Sequence, residues 1–335
     1  MATMADVARL SGVSSSTVSH VLNGTRRVNA DTRERVERAV AELGYRRNAV
    51  ARTLAGGSSR TVGLAISGLT HPYFGPLLHA IERHVSAAGY VLVLGDTHDE
   101  AVMERRVVES LLDQRVDGLI VAPSSGFLEQ SGRLIAAAGA PLVFIDRSLE
   151  FPCDRLTPEN RESARALTEH LISHGHRRIA AVTGLAGLDS TTQREEGYRD
   201  ALEANGIPVD ERLILRGESN EQDAERAVSE MLGRGETPDA LIPLNNAMSI
   251  GALRALQRAG KRIPDDLAFA SYDDFEWSDL FRPGLTAIAQ DVARMGAEAV
   301  DLLMTRIAGD DRPFEHRVID TMFHRRTSCG CHAPT

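Results

Sequence analysis

The sequence predicts an α/β protein: an N-terminal all-α helix-turn-helix head and a short junction, followed by two doubly wound parallel-sheet lobes. Three observations predict it. Residues 3–43 carry three short amphipathic helical patterns with capping residues. Residues 61–147 and 177–273 each alternate short apolar runs with helical stretches, as βαβ units do. Charge also divides the chain. Residues 1–60 hold ten arginines against five acids, a net of about +5, which leaves about −14 on the rest of a chain whose formal charge is −9. A basic head on an acidic body favours a polyanion at one end only.

In the head, Thr3 and Asp6 have capping-box spacing, ahead of a helix with Val7, Ala8 and Leu10 on its apolar side. Gly12 suits a tight turn because glycine tolerates left-handed backbone. Ser14 caps a second helix, with Val18, Val21 and Leu22 inward and Ser15, Ser16, Ser19 and His20 outward. That polar face suits either an ordinary solvated helical hairpin or a helix that enters a major groove and meets base edges. Arg26 and Arg27 follow. A third helix then runs from a cap at Asn29 to about Leu43, with Val36, Ala39, Val40 and Leu43 as its stripe and Gly44 as its stop. Asn48 caps a short helix over 49–55, which Gly56 and Gly57 end. Seven residues are marginal as an isolated helix, so this stretch is a linker unless something packs on it.

In the body, TVGLAIS (61–67), YVLVLGD (90–96), GLIVAP (118–123) and PLVFIDR (141–147) read as buried parallel strands, with helices over 75–88, 99–114 and 126–138. A second set of strands covers 177–184, 211–217, 239–245 and 267–273, with helices near 160–174, 191–205, 220–233 and 246–259. Residues 286–307 read as a further helix and 314–321 as a late strand.

Ligands of doubly wound sheets lie beyond the carboxyl ends of the strands. Tyr73 and Phe74 follow the first strand and offer aromatic faces, and Asp146 ends the fourth. Arg194 opens a helix after a strand, and its guanidinium fork can hold paired hydroxyls or a carboxylate. Asn245 ends a strand and Asp273 follows the next.

Other classes are disfavoured. A length of 335 residues suggests two or three domains, and no apolar run reaches membrane-spanning length. No secretory signal is apparent, and the three cysteines cannot all pair, which points to the cytoplasm. Cys329 and Cys331 are too close for a usual bridge. With His324 and His332 they outline a metal site, but a frayed C-terminal tail is the expected reading, so neither metal nor cofactor is expected. No phosphate-cradling, dinucleotide, zinc-protease or nucleophile-elbow motif occurs, so the chain does not read as an enzyme.

The stretch DVARLSGVSSSTVSHVLN, with TRERVERAVAELGYRRNAVARTLAGG after it, closely resembles the head of the LacI/GalR family of bacterial transcription regulators, and later motifs extend the likeness across essentially the whole chain. The resemblance implies a sequence-specific repressor in the cytoplasm, acting as a homodimer on a pseudo-palindromic operator. It implies periplasmic-binding-protein-like lobes that close on a small effector. Ser15, Ser16 and His20 then read bases, with His20 where arginine is usual. Thr17, Asn23, Thr25 and Asn29 suit phosphate contacts, which fix register. Leu54 matches the leucine of a hinge helix that folds on the operator and wedges into the minor groove.

The implied domains are a head over 1–46, a hinge over 47–59, an N-terminal lobe over 60–160 plus 289–321, and a C-terminal lobe over 161–288 plus 322–335. The chain would cross between lobes near 160, 288 and 322. Tyr73, Phe74, Asp146, Arg194, Asn245, Asp273 and Gln290 match effector-binding positions. Two departures stand out. Asn245-Asn246 replaces the usual Asn-Asp, and the loop Gly217-Glu218-Ser219-Asn220 lacks a stacking ring, whose place Trp277 or Phe275 would have to fill. Leu188 stands where the purine-responsive branch carries arginine, so a sugar or sugar derivative is the expected effector. The chain ends without leucine heptads, which favours a dimer over a tetramer. A sugar-binding transport receptor shares the two-lobed body, but the basic head and the missing signal segment argue against it.

Overall fold

The computed structural model describes residues 2–23, 26–45, 58–68 and 72–331, and divides the chain into two units, Met1–Ser59 and Arg60–Thr335. The expected junction helix with Leu54, together with Thr25, His71 and His332, lies outside the described residues, as does the side chain of Asn23.

The first unit holds α1 (Met4–Ser11), α2 (Ser15–Asn23) and α3 (Ala30–Glu42). The Thr3 hydroxyl accepts from the Asp6 amide at 3.3 Å, and the Asp6 carboxylate accepts from the Thr3 amide at 2.9 Å. Gly12 ends α1 at φ 67°. Ser14 accepts from the Thr17 amide at 3.2 Å, and Asn29 from the Thr32 amide at 2.8 Å. Val7, Ala8, Val18, Val36 and Ala39 form the core. Leu10, expected on the apolar side of α1, is instead 47 % exposed. The inner position goes to Ser11, whose hydroxyl is satisfied by donating to the Val7 carbonyl at 2.6 Å.

In chain order the second unit's strands are β1 (Thr61–Ile66), β2 (Val91–Asp96), β3 (Gly118–Val121), β4 (Leu142–Ile145), β5 (Asp154–Pro158), β6 (Ile179–Thr183), β7 (Ile214–Arg216), β8 (Ala240–Pro243), β9 (Ala268–Tyr272), β10 (Thr286–Gln290), β11 (His316–Ile319) and β12 (Thr321–His324). They form two six-stranded sheets, ordered β11-β5-β4-β3-β1-β2 and β12-β10-β9-β8-β6-β7. All described pairings are parallel except β10 with β12. Each sheet reverses its strand order once, between β1 and β3 and between β6 and β8. These are the topological switch points at which doubly wound sheets open a crevice.

The helices are α4 (Phe74–Ala87), α5 (Ala101–Asp113), α6 (Phe127–Gln130), α7 (Gly132–Ala138), α8 (Arg161–Ser173), α9 (Asp189–Ala204), α10 (Glu221–Gly233), α11 (Asn246–Arg258) and α12 (Val292–Ile307). Val62, Leu64 and Ile66 of β1 bury against α4 and α12 on one face of their sheet, and Ala65, Leu119, Val121 and Phe144 fill the other face. Asp154, fully buried in β5, ties α12 to the sheet: its carboxylate takes Arg306 Nε at 2.7 Å, Arg306 Nη2 at 2.9 Å and the Glu315 amide at 2.8 Å. Burial works against the charge, but these three donors hold the Asp154 carboxyl below its ordinary value.

The structure corrects several sequence expectations. The helix over 126–138 is interrupted at Ser131 into α6 and α7, and the Ser131 hydroxyl donates to the buried Glu104 carboxylate at 2.7 Å. Residues 286–290 are the strand β10 rather than the start of a helix. The late strand over 314–321 is two strands, β11 and β12, in different sheets. The strand over 211–217 shortens to β7 after a 3-10 turn at Glu211–Leu213 that Asp210 caps. The sequence reading missed β5, whose DRLTP lacks apolar alternation. β2, expected to be buried, is an edge strand with Val91 62 % exposed.

The crossings lie at Pro158–Arg161, Gln290–Val292 and Ile319–Thr321. Residues 289, 290 and 321 thus belong to the second sheet, since Gln290 pairs with Thr321 across β10 and β12. The C-terminal segment is not frayed up to residue 331. The Ser328 hydroxyl accepts from the Thr286 amide at 2.8 Å and donates to the Phe269 carbonyl at 2.7 Å, and Cys329 is fully buried and disulfide-linked to Cys331.

Helices α8 and α9 touch through Gly197, where a Cβ would fall 2.1 Å from the Arg161 carbonyl oxygen. An exposed Gly→Ala change in a helix gains about 1 kcal/mol, and overpacking against backbone costs about 1–3 kcal/mol or more. Gly197→Ala should therefore lower the urea midpoint, whereas Gly233→Ala, with open space around it, should hold or raise it. Equal midpoints for the two variants would contradict the tight α8–α9 crossing.

Candidate ligand cleft and nucleic-acid interface

The head presents Ser15 and Ser16 exposed on the first turn of α2, with Thr17 and His20 half-buried further along the helix. Ser14 organises this turn: its hydroxyl caps the helix and bonds Ser16 Oγ at 2.8 Å and Thr17 Oγ1 at 2.9 Å. The positive end of the α2 dipole therefore lies among small hydroxyls, an arrangement suited to phosphate and base-edge acceptors. Asn29 is exposed, with its carbonyl oxygen committed to capping α3.

In the second unit, one cleft is lined by Tyr73, Phe74, Asp146, Arg194, Asn245, Asp273 and Gln290, so the structure brings all seven expected residues together. It adds Arg147, Leu188, Ser190 and Asn246, among others. Phe275 and Trp277 stack on one another at 4.3 Å and stand outside the lining, so neither supplies the missing ring. The rings in the cleft are Tyr73 and Phe74, edge-to-face at 5.0 Å.

The two lobes repeat one device. Asp146 follows β4 and Asp273 follows β9, each buried and each at φ 70°. Aspartate is one of the few L residues that enter the left-handed region readily, and here the turn leaves both carboxylates in the cleft lining. Asp273 accepts from Gln290 Nε2 at 2.6 Å and from the Asn246 amide at 3.3 Å. Burial raises its carboxyl above the ordinary aspartate value, with the Arg194 charge opposing.

Arg194 is held on three sides. Its Nε donates to Asn160 Oδ1 at 2.8 Å, its Nη1 donates to the Leu244 carbonyl at 2.8 Å, and the guanidinium lies 3.8 Å from the Tyr272 ring centroid. Burial alone would lower its pKa, but Tyr272, Asp273 and Asp146 around it hold it above the ordinary arginine value. Arg147 is likewise buried, ion-paired to Asp99, with Nη2 3.5 Å from Ser67 Oγ. Although it stands at a strand end, the fold encloses it. The Tyr73 hydroxyl is pushed well above its usual value by burial and then by the charges of Asp146 and Asp273.

Asn245 caps α11, its Oδ1 accepting from the Met248 amide at 2.8 Å. Its neighbour Asn246, which replaces the usual acid, is 1 % exposed and its Nδ2 has no hydrogen-bond partner among the described residues. Gln290 Oε1 is in the same condition. An unpaired buried polar atom costs about 1–3 kcal/mol, so this lining matches a ligand offering both a donor and an acceptor. The sequence did not single out Asn160 or Tyr272 as the frame of Arg194; they lie 34 and 78 positions away and only the fold joins them. Across the cleft mouth the Ser148 amide of the first lobe donates to Asp189 Oδ2 of the second at 3.1 Å.

Comparisons agree with this architecture. Residues 3–48 match the bacterial regulatory proteins of the lacI family, and residues 168–329 match the periplasmic binding protein-like domain. The HTH-type transcriptional repressor PurR of Photobacterium profundum is 33 % identical over 96 % of this chain and 96 % of its own. The repressor of the same name from Vibrio atlanticus is 35 % identical with the same coverage. Among solved structures, the lac repressor dimer bound to operator and the anti-inducer ONPF has a TM-score of 0.84 at 30 % identity, covering 98 % of this chain and 99 % of that one. The CelR–cellobiose complex has a TM-score of 0.73 at 32 % identity, covering 98 % and 100 %. A three-helix basic head followed by two doubly wound lobes, with relatives of this kind along its whole length, makes the chain a member of the lacI family of bacterial regulatory proteins: a DNA-binding transcriptional repressor, not an enzyme.

Proposed function

We propose that this repressor's hold on DNA is set by a small polyhydroxylated effector, a sugar or sugar derivative, taken up between the two lobes. One observation carries the reading: two buried aspartates and the framed Arg194 share a lining with an unpaired donor, Asn246 Nδ2, and an unpaired acceptor, Gln290 Oε1. Hydroxyls both donate and accept, and vicinal hydroxyls fit a guanidinium fork. The loop at 217–220 offers no ring for a planar base, and Leu188 offers no polar contact for one. The CelR structure holds cellobiose, and a LacI-family regulator of Enterococcus faecium at 26 % identity and TM-score 0.71 holds ribose.

On this reading Tyr73, Phe74, Asp146, Arg194, Asn245, Asp273 and Gln290 contact the effector. A cytoplasmic homodimer sets two heads about one helical turn apart on a pseudo-palindromic operator. In each head, residues 1–46, Ser15, Ser16 and His20 meet base edges, while Thr17, Asn23, Thr25 and Asn29 meet phosphates. In the hinge, residues 47–59, Leu54 enters the minor groove. Lobe closure on the effector shifts the population of DNA-binding-competent dimers by a coupling of about 1–3 kcal/mol. No described helix is long and apolar enough to cross a membrane.

Three outcomes are expected. In a thermal-shift screen that sets pentoses, hexoses, disaccharides and polyols beside purine bases, a polyhydroxylated compound stabilises the protein and Arg194→Ala abolishes that shift. A response to bases alone would overturn the polyhydroxyl reading. Binding of such a hit weakens on acidification. Asp273 has a raised pKa and loses its acceptor charge at a higher pH than an ordinary aspartate, so Asp273→Asn removes the pH dependence as well as affinity. His20→Ala relaxes discrimination at one base pair of each half-site by about 1–3 kcal/mol in a mutated-operator binding series; uniform weakening across all sequences would make His20 a phosphate contact instead.

A further inference from the structure

His170 lies in the last turn of α8 and His174 caps that helix, with their ring centroids 4.6 Å from each other. The C-terminal Cys329-Gly330-Cys331 segment lies against them. His170 Nε2 is 3.3 Å from Cys329 Sγ and 3.2 Å from Cys331 Sγ, and His174 Nε2 is 3.1 Å from Cys331 Sγ. The donor atoms of His170, Cys329 and Cys331 all lie within 4.8 Å of one another. His176 Nε2 stands 3.3 Å from the Cys329 carbonyl oxygen, and the Phe323 ring packs edge-on to His170 at 5.1 Å. Cys329 is fully buried, Cys331 and His170 are half-buried, and His174 is exposed, which leaves one open side.

A disulfide by itself has no need of two imidazoles converging on its sulfurs. Zinc bound tetrahedrally at about 2.3 Å from sulfur and about 2.0–2.1 Å from nitrogen requires neighbouring ligand atoms about 3.3–3.8 Å apart. The three nitrogen–sulfur distances fall within a few tenths of an ångström of that range; His174 stands outside the group of donor atoms that lie within 4.8 Å of one another, so its ring must swing in to serve as the fourth ligand. Two sulfurs and two imidazoles are the donor set that selects zinc-like ions over magnesium or calcium. Two thiolates and a dication with two neutral imidazoles sum to zero charge, so the complex brings no net charge into a site where Cys329 has no access to water.

We propose that, once the Cys329–Cys331 disulfide is reduced, His170, His174, Cys329 and Cys331 form a binding site for a thiophilic divalent cation of the zinc class, pinning the C-terminal segment to α8. The chemistry balances with a cellular dithiol as reductant. The dithiol gives two electrons and two protons, the protein sulfur–sulfur bond breaks to two thiols, and the dithiol becomes its own disulfide. The entering cation then displaces the two thiol protons into solvent, and the sulfurs separate to about 3.8 Å as ligands. Exchange with a small-molecule disulfide reverses the order: that disulfide takes the two electrons and leaves as two thiols, the Cys329–Cys331 bond re-forms and the metal is expelled, so the site is metal-bound or disulfide-bonded, never both. This revises the expectation of a metal-free tail: the sequence pointed to His324 and His332 as partners for the cysteines, whereas the fold supplies His170 and His174 from 155 or more residues upstream.

The test uses the full-length protein, reduced with a dithiol, freed of it anaerobically and titrated with cobalt(II) as the spectroscopic probe. Stoichiometric uptake should appear with sulfur-to-cobalt charge-transfer absorption and the intense visible bands of tetrahedral cobalt, and zinc should bleach them. The oxidised protein should show neither. His174→Ala, at an exposed position, should weaken cobalt binding by at least about tenfold. Cys331→Ser should remove much of the charge-transfer band. If the reduced protein titrates for the freed thiols yet its cobalt spectrum stays that of the aquo ion, or if the oxidised protein binds equally, the segment is a disulfide only and the proposal fails. Unchanged affinity in His174→Ala would overturn the four-ligand form.

Discussion

Charge removed from water at the carboxyl ends of the two sheets is the constraint on which this structure turns. Asp146, Asp273, Arg147 and Arg194 are all at least nine-tenths buried, and none would remain ionised there without partners. Each partner comes from somewhere specific: Asp99 from the loop after β2, Asn160 from the first crossing, Gln290 from the second, and Tyr272 from β9. Two of these partners, Asn160 and Gln290, stand where the chain crosses between lobes. The paired charges keep the cleft polar although apolar layers surround it.

The two lobes reach this arrangement by the same route. Each has a parallel sheet whose strand order reverses once, and each ends its fourth strand in an aspartate with left-handed backbone. The lobes are not interchangeable, however. The first takes α12 and β11 from late in the chain, and the second takes β10 and β12. Two lobes joined by three short crossings and facing each other across a polar cleft have the mechanical form of a hinge, and the Ser148–Asp189 hydrogen bond is one contact that opening must break. The pairing of Asp154 with Arg306 lies outside the cleft lining and secures α12 to the first sheet.

Much of this was legible in residue pattern. Caps at Thr3, Ser14 and Asn29 and the stop at Gly12 are local decisions between residues at most four apart, so sequence spacing carries them. The long helices were legible for the same reason, and the cleft residues because they follow apolar strands. What escaped the pattern was set by distant partners. DRLTP becomes a strand only because β4 and β11 flank it. Residues 286–290 look helical by apolar spacing, yet pairing with β9 and β12 makes them a strand. Ser131, where α6 and α7 separate, donates to a carboxylate 27 positions earlier.

The sequence by itself determined a basic three-helix head, an acidic two-lobed body and the ring of polar residues at strand ends, because periodicity, capping and charge act over a few residues. Only the tertiary structure decided that Arg194 is framed by Asn160 and Tyr272, that Asn246 and Gln290 keep unpaired polar atoms buried in the cleft lining, and that Cys329 and Cys331 meet His170 and His174. Burial and long-range hydrogen bonding set those relations, and neither leaves a mark at fixed spacing along a chain.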